Sequence, residues 1–130
     1  MKSYLQISNS SQAANLLKEP MAQLDHEELW GIFLNVNCHL ISMEMLSKGS
    51  LNTTIVDART ILRRALLNNA AKVIVAHNHP SENPIPSGCD IDQTNKIRKA
   101  CSLMDIPLVD HIIITEDRYY SFAEEKVMNY

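Results

Sequence analysis

The stretch "VIVAHNHPSENPIPSGCDID" (residues 73–92) changes character twice along its length. Its start is apolar and β-branched, which suits a strand. Two histidines one residue apart, His77 and His79, end that run, and a loop holding Pro80, Pro84 and Pro86 follows. Ser87 and Asp90 then stand where a helix can open, because both residue types satisfy the free N–H groups of a first turn. The reading is strand, stiff loop, helix.

On an extended strand, residues i and i+2 point to one side, so both imidazoles face the same way. A pair of neutral imidazoles is a natural half-site for zinc, and a catalytic zinc takes three protein ligands with one position open. Asp90 is the candidate third ligand. The prolines fix φ and narrow the states of the loop that would return Asp90 to the strand end. Ser87 precedes Asp90 by one helical turn and shares its face, so its hydroxyl can donate to an oxygen of a bound substrate. Each feature alone has a plain structural alternative: a surface histidine, a helix cap, a first-turn carboxylate. The joint spacing His-x-His-x7-Ser-x2-Asp carries the signal.

Working outward, "SSQAANLLKEPMAQ" (residues 10–23) reads as a first helix capped by Ser10 or Ser11, with Pro20 suggesting an end near Lys18. "LWGIFLNV" (29–36) and "HLISMEML" (39–46) read as a hairpin around Asn37, the first strand apolar on both sides and therefore central. Asp57 sits at an N-cap position, before Ile61, Leu62, Ala65 and Leu66 at helical spacing, with a stop near Asn68–Asn69. After the proline loop, Ile91, Thr94, Ile97, Cys101 and Met104 mark a buried helix face that Pro107 closes. "LVDHIIITE" (108–116) and "RYYSFA" (118–123) complete the strands. The expectation is a single α/β domain, a mixed sheet of about five strands with about three helices.

The chain has 130 residues and a net charge of −3, ordinary for one globular domain and not the basic balance of a nucleic-acid-binding surface. Arg59, Arg63 and Arg64, and likewise Lys96, Arg98 and Lys99, read as solvated helix faces. Three cysteines without a Cys-x-x-Cys pattern argue against a disulfide framework and for a reducing, cytoplasmic setting. The first residues lack the apolar core of a signal peptide, and no apolar run approaches the ~20 residues that span a bilayer. His26 and His39 have no partner pattern and are expected at the surface. Trp30 is expected in the core, Cys89 is a small filler, and Asn78 should face away from the paired histidines.

The residues His77-x-His79-x7-Ser87-x2-Asp90 resemble the JAMM motif of the JAB/MPN metalloproteases. The wording "AHNHPSENPIPSGCDIDQT" is similar to the HNHPSG-x-x-x-PS-x-x-D-x-x-x-T segment of the bacterial RadC group. "LSKGSLNTTIVDARTILRRALLNNAA", "LVDHIII" and "YYSFAE" extend the likeness from about residue 24 to residue 125. Glu82 stands where the group usually has Gly, and Arg59-Thr60 where it usually has Arg-Glu. The N-terminal helix-hairpin-helix region of longer relatives has no room here, so residues 1–130 are expected to be a stand-alone RadC-like JAB/MPN domain or a fragment.

The resemblance implies a JAB/MPN-like (cytidine-deaminase-like) fold. It implies one zinc per chain on His77, His79 and Asp90, Ser87 at the oxyanion, and a general-base glutamate just before the early strand. Glu28 fits that position best, Glu27 is its rival and Glu44 a distant third. The implied activity is hydrolysis of a peptide or isopeptide bond in a peptide or protein substrate. The competing readings are a DNA-repair-associated role without proteolysis, the group's traditional label, and a non-catalytic interaction module. The Asp110-His111 pair belongs to the group's wording; His111 reads as a satisfied structural histidine, with support of a metal ligand as the alternative.

Overall fold

The computed structural model describes residues 5–49 and 58–128. In chain order it contains α1 (Ser10–Met21), β1 (Glu28–Leu34), β2 (Leu40–Lys48), α2 (Ala58–Leu67), β3 (Lys72–Asn78), α3 (Gly88–Leu103), β4 (Leu108–Ile114) and β5 (Tyr119–Ser121). The strands form one mixed sheet in the order β2-β1-β3-β4-β5. Only the β3–β4 pair is parallel among these neighbours, because α3 provides the crossover between them. The expected α/β domain is the one observed, and β1 is central, as its two apolar faces require.

Strand alternation divides the core in two. Leu29, Phe33, Val73, Val75 and Ile113 face one side, where Ile61 and Ala65 of α2 and Ile97 and Cys101 of α3 pack on them. Ile32, Leu34, Ile74, Ala76, Ile112 and Ile114 face the other, under Ala13, Ala14, Leu17 and Met21 of α1. His77 continues the first series and Asn78 the second.

The helix ends follow local chemistry. Asn9, extended at φ −157°, caps α1 by accepting from the Gln12 N–H at 2.9 Å, so the cap lies just before the expected Ser10 or Ser11. The helix also runs past Pro20 to Met21 instead of ending near Lys18. A proline this late in the helix removes only one bond, and the Ala22 N–H still reaches the Lys18 carbonyl. The Asp57 cap position lies outside the described residues.

At the end of α2, Asn69 takes φ 52°. The Ala70 and Asn69 N–H groups return to the Ala65 and Leu66 carbonyls, the hydrogen-bond pattern of a left-handed helix stop. Asp105 does the same for α3 at φ 56°, with Ile106 and Asp105 bonding back to Cys101 and Ser102. That stop precedes Pro107 and leaves Met104 46% exposed, so Met104 is not part of the buried face. No helix among the described residues is long and apolar enough to cross a membrane.

Candidate metal centre

β3 ends beside β1 and β4, with His77 in register with Leu29 on one side and Ile113 on the other. His77 is 2% exposed. Beyond the strand, the His79 N–H bonds to the Ile114 carbonyl at 3.0 Å, which keeps the chain extended and both imidazoles on the same side. Their Nε2 atoms lie 2.9 Å apart.

The proline loop then folds back. The Glu82 N–H closes a turn on the His79 carbonyl, and Glu82 itself has φ 68°, a conformation in which glycine carries no steric cost. That accounts for the usual Gly at this position. Glu82 is compensated: its carboxylate accepts from the Glu116 N–H at 2.9 Å and its carbonyl from Arg118 Nη2 at 3.1 Å. These contacts tie the loop to the turn between β4 and β5.

Ser87 and Asp90 form a reciprocal cap at the start of α3. Ser87 Oγ accepts from the Asp90 N–H at 3.0 Å, and Asp90 Oδ2 accepts from the Ser87 N–H at 2.9 Å. This fixes the Asp90 carboxylate with Oδ2 3.3 Å from His79 Nε2 and Oδ1 3.6 Å from His77 Nε2. The structure thus brings the side chains of His77, His79 and Asp90 together.

The glutamate differs from expectation. The Glu28 side chain lies on the α1 face, where Oε1 accepts from Trp30 Nε1 at 2.9 Å and Oε2 meets His26 Nε2 at 2.7 Å. Glu27, on the face of Leu29 and His77, brings a carboxylate oxygen to the histidines; the Glu27, His77 and His79 ligand atoms all lie within 4.8 Å of one another. Glu27, not Glu28, thus reaches the histidine cluster, because consecutive strand residues face opposite sides. Glu44 is held elsewhere, by Arg64 Nε at 2.6 Å and Asn68 Nδ2 at 2.7 Å.

Behind His77 runs a chain of hydrogen bonds whose proton positions are determined by its far end. Thr94 Oγ1 must donate to the Asp90 carbonyl at 2.7 Å, since a carbonyl only accepts. It therefore accepts from His111 Nδ1 at 2.5 Å. Burial of His111 pushes its pKa well below the ordinary value, so the ring is neutral and Nε2 accepts. His77 Nδ1–H is then the donor across 2.6 Å. Burial also lowers the pKa of His77, leaving Nε2 as a bare lone pair.

His79 Nδ1 donates to the Asn83 carbonyl at 2.7 Å, so the neutral ring presents its lone pair at Nε2 as well. Two lone pairs and a carboxylate thus converge, a donor set that fits a divalent cation such as zinc. Burial opposes protonation of His79, but Asp90 and the Asn83 carbonyl outweigh it and raise the His79 pKa. The same histidines hold the Asp90 carboxyl well below its usual range despite burial.

The site opens on a cleft of about 710 Å³ lined by Glu27, His79, Pro80, Ile85, Ser87 and Asp90 among others. Ser87 is exposed there. Its oxygen caps α3 through a lone pair, which leaves the hydroxyl hydrogen to donate.

Two participants, His26 and Asn78, were given no part by sequence reasoning, and His111 had support of a metal ligand only as its second reading. His111 touches His77 directly, His26 bridges Asp25 and Glu28 at 2.9 and 2.7 Å, and Asn78, facing away as expected, binds backbone near Glu27. The Asp-His pair in β4 was the available signal for His111. Nothing in the sequence spacing marks His26.

A family model described as RadC-like JAB domain matches residues 7–127. The chain is 41% identical over 121 residues to a UPF0758 protein of Flavobacterium johnsoniae, covering 93% of this chain and 53% of that protein. It is 43% identical over 120 residues to UPF0758 protein YfjY of Escherichia coli, covering 92% and 75%. A UPF0758 protein of Aquifex aeolicus is 36% identical over 127 residues, covering 98% and 54%. The chain thus spans about half the length of two of these relatives.

Proposed function

Because the chain belongs to the RadC-like JAB domain family, we propose that it is a JAMM-type zinc-dependent hydrolase of a peptide or isopeptide bond. The observation that supports this most is the convergence of His77 Nε2, His79 Nε2 and the Asp90 carboxylate beside an open cleft. His77, His79 and Asp90 would hold the ion. Zinc supplies Lewis acidity, acidifying water and polarising a carbonyl.

The remaining work falls to the chain. His111 and Thr94 hold His77 in the tautomer that leaves Nε2 free, as partners of metal-ligating histidines commonly do. Glu27 takes a proton from the attacking water at its carboxylate and delivers it to the departing amine. Ser87 donates its hydroxyl hydrogen to the carbonyl oxygen as negative charge develops there. The cleft, with Ile85 and Pro80 along its lining, receives the extended substrate on either side of the reacting carbonyl.

The test is a screen of peptide and isopeptide substrates with zinc-loaded and chelated protein. Activity should require zinc, and Glu27→Gln should lower the rate by ~10²–10⁴-fold while keeping the metal, the range of a lost general base. Hydrolysis that survives chelation, or that proceeds equally in Glu27→Gln, would overturn the reading.

A further inference from the structure

We propose that Asn78, the residue between the paired histidines, is a positioning residue that aims the Glu27 carboxylate at the metal centre. This rests on the function proposed above and adds a residue to it. Asn78 is 2% exposed and sits on the α1 face of β3, opposite the cleft. Its Oδ1 accepts from the Glu28 N–H at 2.8 Å, and its Nδ2 donates to the His26 carbonyl at 2.8 Å. The two peptide groups it holds are those on either side of Glu27.

The local topology shows why a side chain is needed there. The β1–β3 ladder ends at the Leu29–His77 pair. Continued by two residues, it would pair residue 27 with residue 79, but the His79 N–H turns to Ile114 on the other side. Residue 27 is thus left without ladder bonds from β3. A primary amide carries a donor and an acceptor in one plane, as a peptide does, and it replaces the missing rungs.

Only one orientation of that amide works, since the flipped form would set donor against donor and acceptor against acceptor. On the β2 side, the Gly49 N–H holds the Glu27 carbonyl at 2.9 Å. With residue 27 held on both sides, its Cβ points toward His77. One residue therefore spaces the two histidine ligands and orients the glutamate that works beside them.

The test uses the full chain loaded with cobalt(II), whose visible absorption reports coordination and whose pH midpoint reports ionisation at the site. Asn78→Ala should bind cobalt with the stoichiometry of the parent but shift that midpoint by roughly one unit, the order expected when a neighbouring carboxylate is displaced. In a Glu27→Gln background the same substitution should produce no further shift. A direct effect on the flanking histidines would persist in that background.

Asn78→Ser adds no charge and is too short to hold both peptide groups; it should shift the midpoint as Asn78→Ala does, and serves if Asn78→Ala does not fold. A midpoint unchanged by either substitution, or a shift that adds fully to that of Glu27→Gln, overturns the positioning role. Failure of the parent chain to bind cobalt overturns the proposed function itself, and with it any catalytic use of Asn78.

Discussion

Glu27 and Glu28 are adjacent, chemically identical and sit at one strand end, yet they belong to opposite regions of the molecule. On the α1 face, both carboxylate oxygens of Glu28 have partners, Trp30 Nε1 and His26 Nε2. Burial works against its charge, but the Trp30 and His26 bonds outweigh that and lower its pKa. His26, held by Asp25 and then by Glu28, has its pKa raised. On the cleft face, Glu27, His77, His79 and Asp90 present lone pairs and negative charge to one another. Satisfied polar groups rigidify, whereas converging acceptors call for a cation. The satisfied side holds still what the unsatisfied side uses.

Exchanging the two glutamates tests this contrast most strongly. Glu28→Gln should leave hydrolysis within about tenfold of the parent, whereas the Glu27 variant falls by the general-base factor of ~10²–10⁴. Glu28→Gln should instead lower folding stability by ~1–2 kcal/mol, the scale of a perturbed hydrogen bond to a charged group. Denaturant unfolding and steady-state rates, measured on both variants, separate the two roles. A rate loss confined to Glu28→Gln would reverse the assignment.

The chain behind His77 should come next in size. His111→Leu and Thr94→Val each put an uncharged apolar side chain in the buried site and remove the tautomer constraint. Zinc affinity should fall ~10–100-fold in each, as for other partners of ligating histidines. Competition against a chromophoric chelator reads this, and unchanged affinity in both would reduce His111 to a packing residue stacked on Phe122 at 4.6 Å.

The pH dependence has a definite sign. His79, whose pKa is raised, must lose its proton before it can ligate. Zinc affinity should therefore decline as pH falls through and below that raised value, with one proton taken up per ion released. His77, whose pKa is lowered, should join only in stronger acid. Affinity independent of pH between 5 and 8 on the ~one-unit scale of a histidine titration would contradict this.

The smallest effect belongs to Glu44, far from the cleft. Arg64 beside it outweighs burial and holds its pKa down at about 2, against 4.5 unperturbed. A depressed carboxyl stabilises the fold above the unfolded value and loses that contribution as pH falls through the folded one. Glu44→Gln should cost ~1 kcal/mol or less at neutral pH, because Arg64 is partly exposed. The difference between variant and parent should vanish as pH falls from ~4.5 toward ~2. Zinc content should not change.

Much of this was legible in the sequence. The order of strands and helices followed from period and punctuation, and His77, His79, Ser87 and Asp90 followed from spacing within one strand–loop–helix. The choice between Glu27 and Glu28 did not, because a one-residue slip at a strand start reverses the face. That start is set by the Leu29–His77 register, which no local pattern encodes. The contact of His111 with His77 depends on parallel pairing between strands 34 residues apart in sequence, and the His26 bonds depend on where β1 begins. Met104 kept helical spacing but is the C-cap residue of α3, just before a left-handed stop that Asp105 makes at a position where glycine is the usual signal.

The metal content of the protein purified without chelator tests the central claim most directly. The account predicts about one zinc per chain, as a three-ligand site requires, and near-complete loss in the His77→Ala, His79→Ala double variant. A metal content that is the same in the parent and the double variant would contradict it.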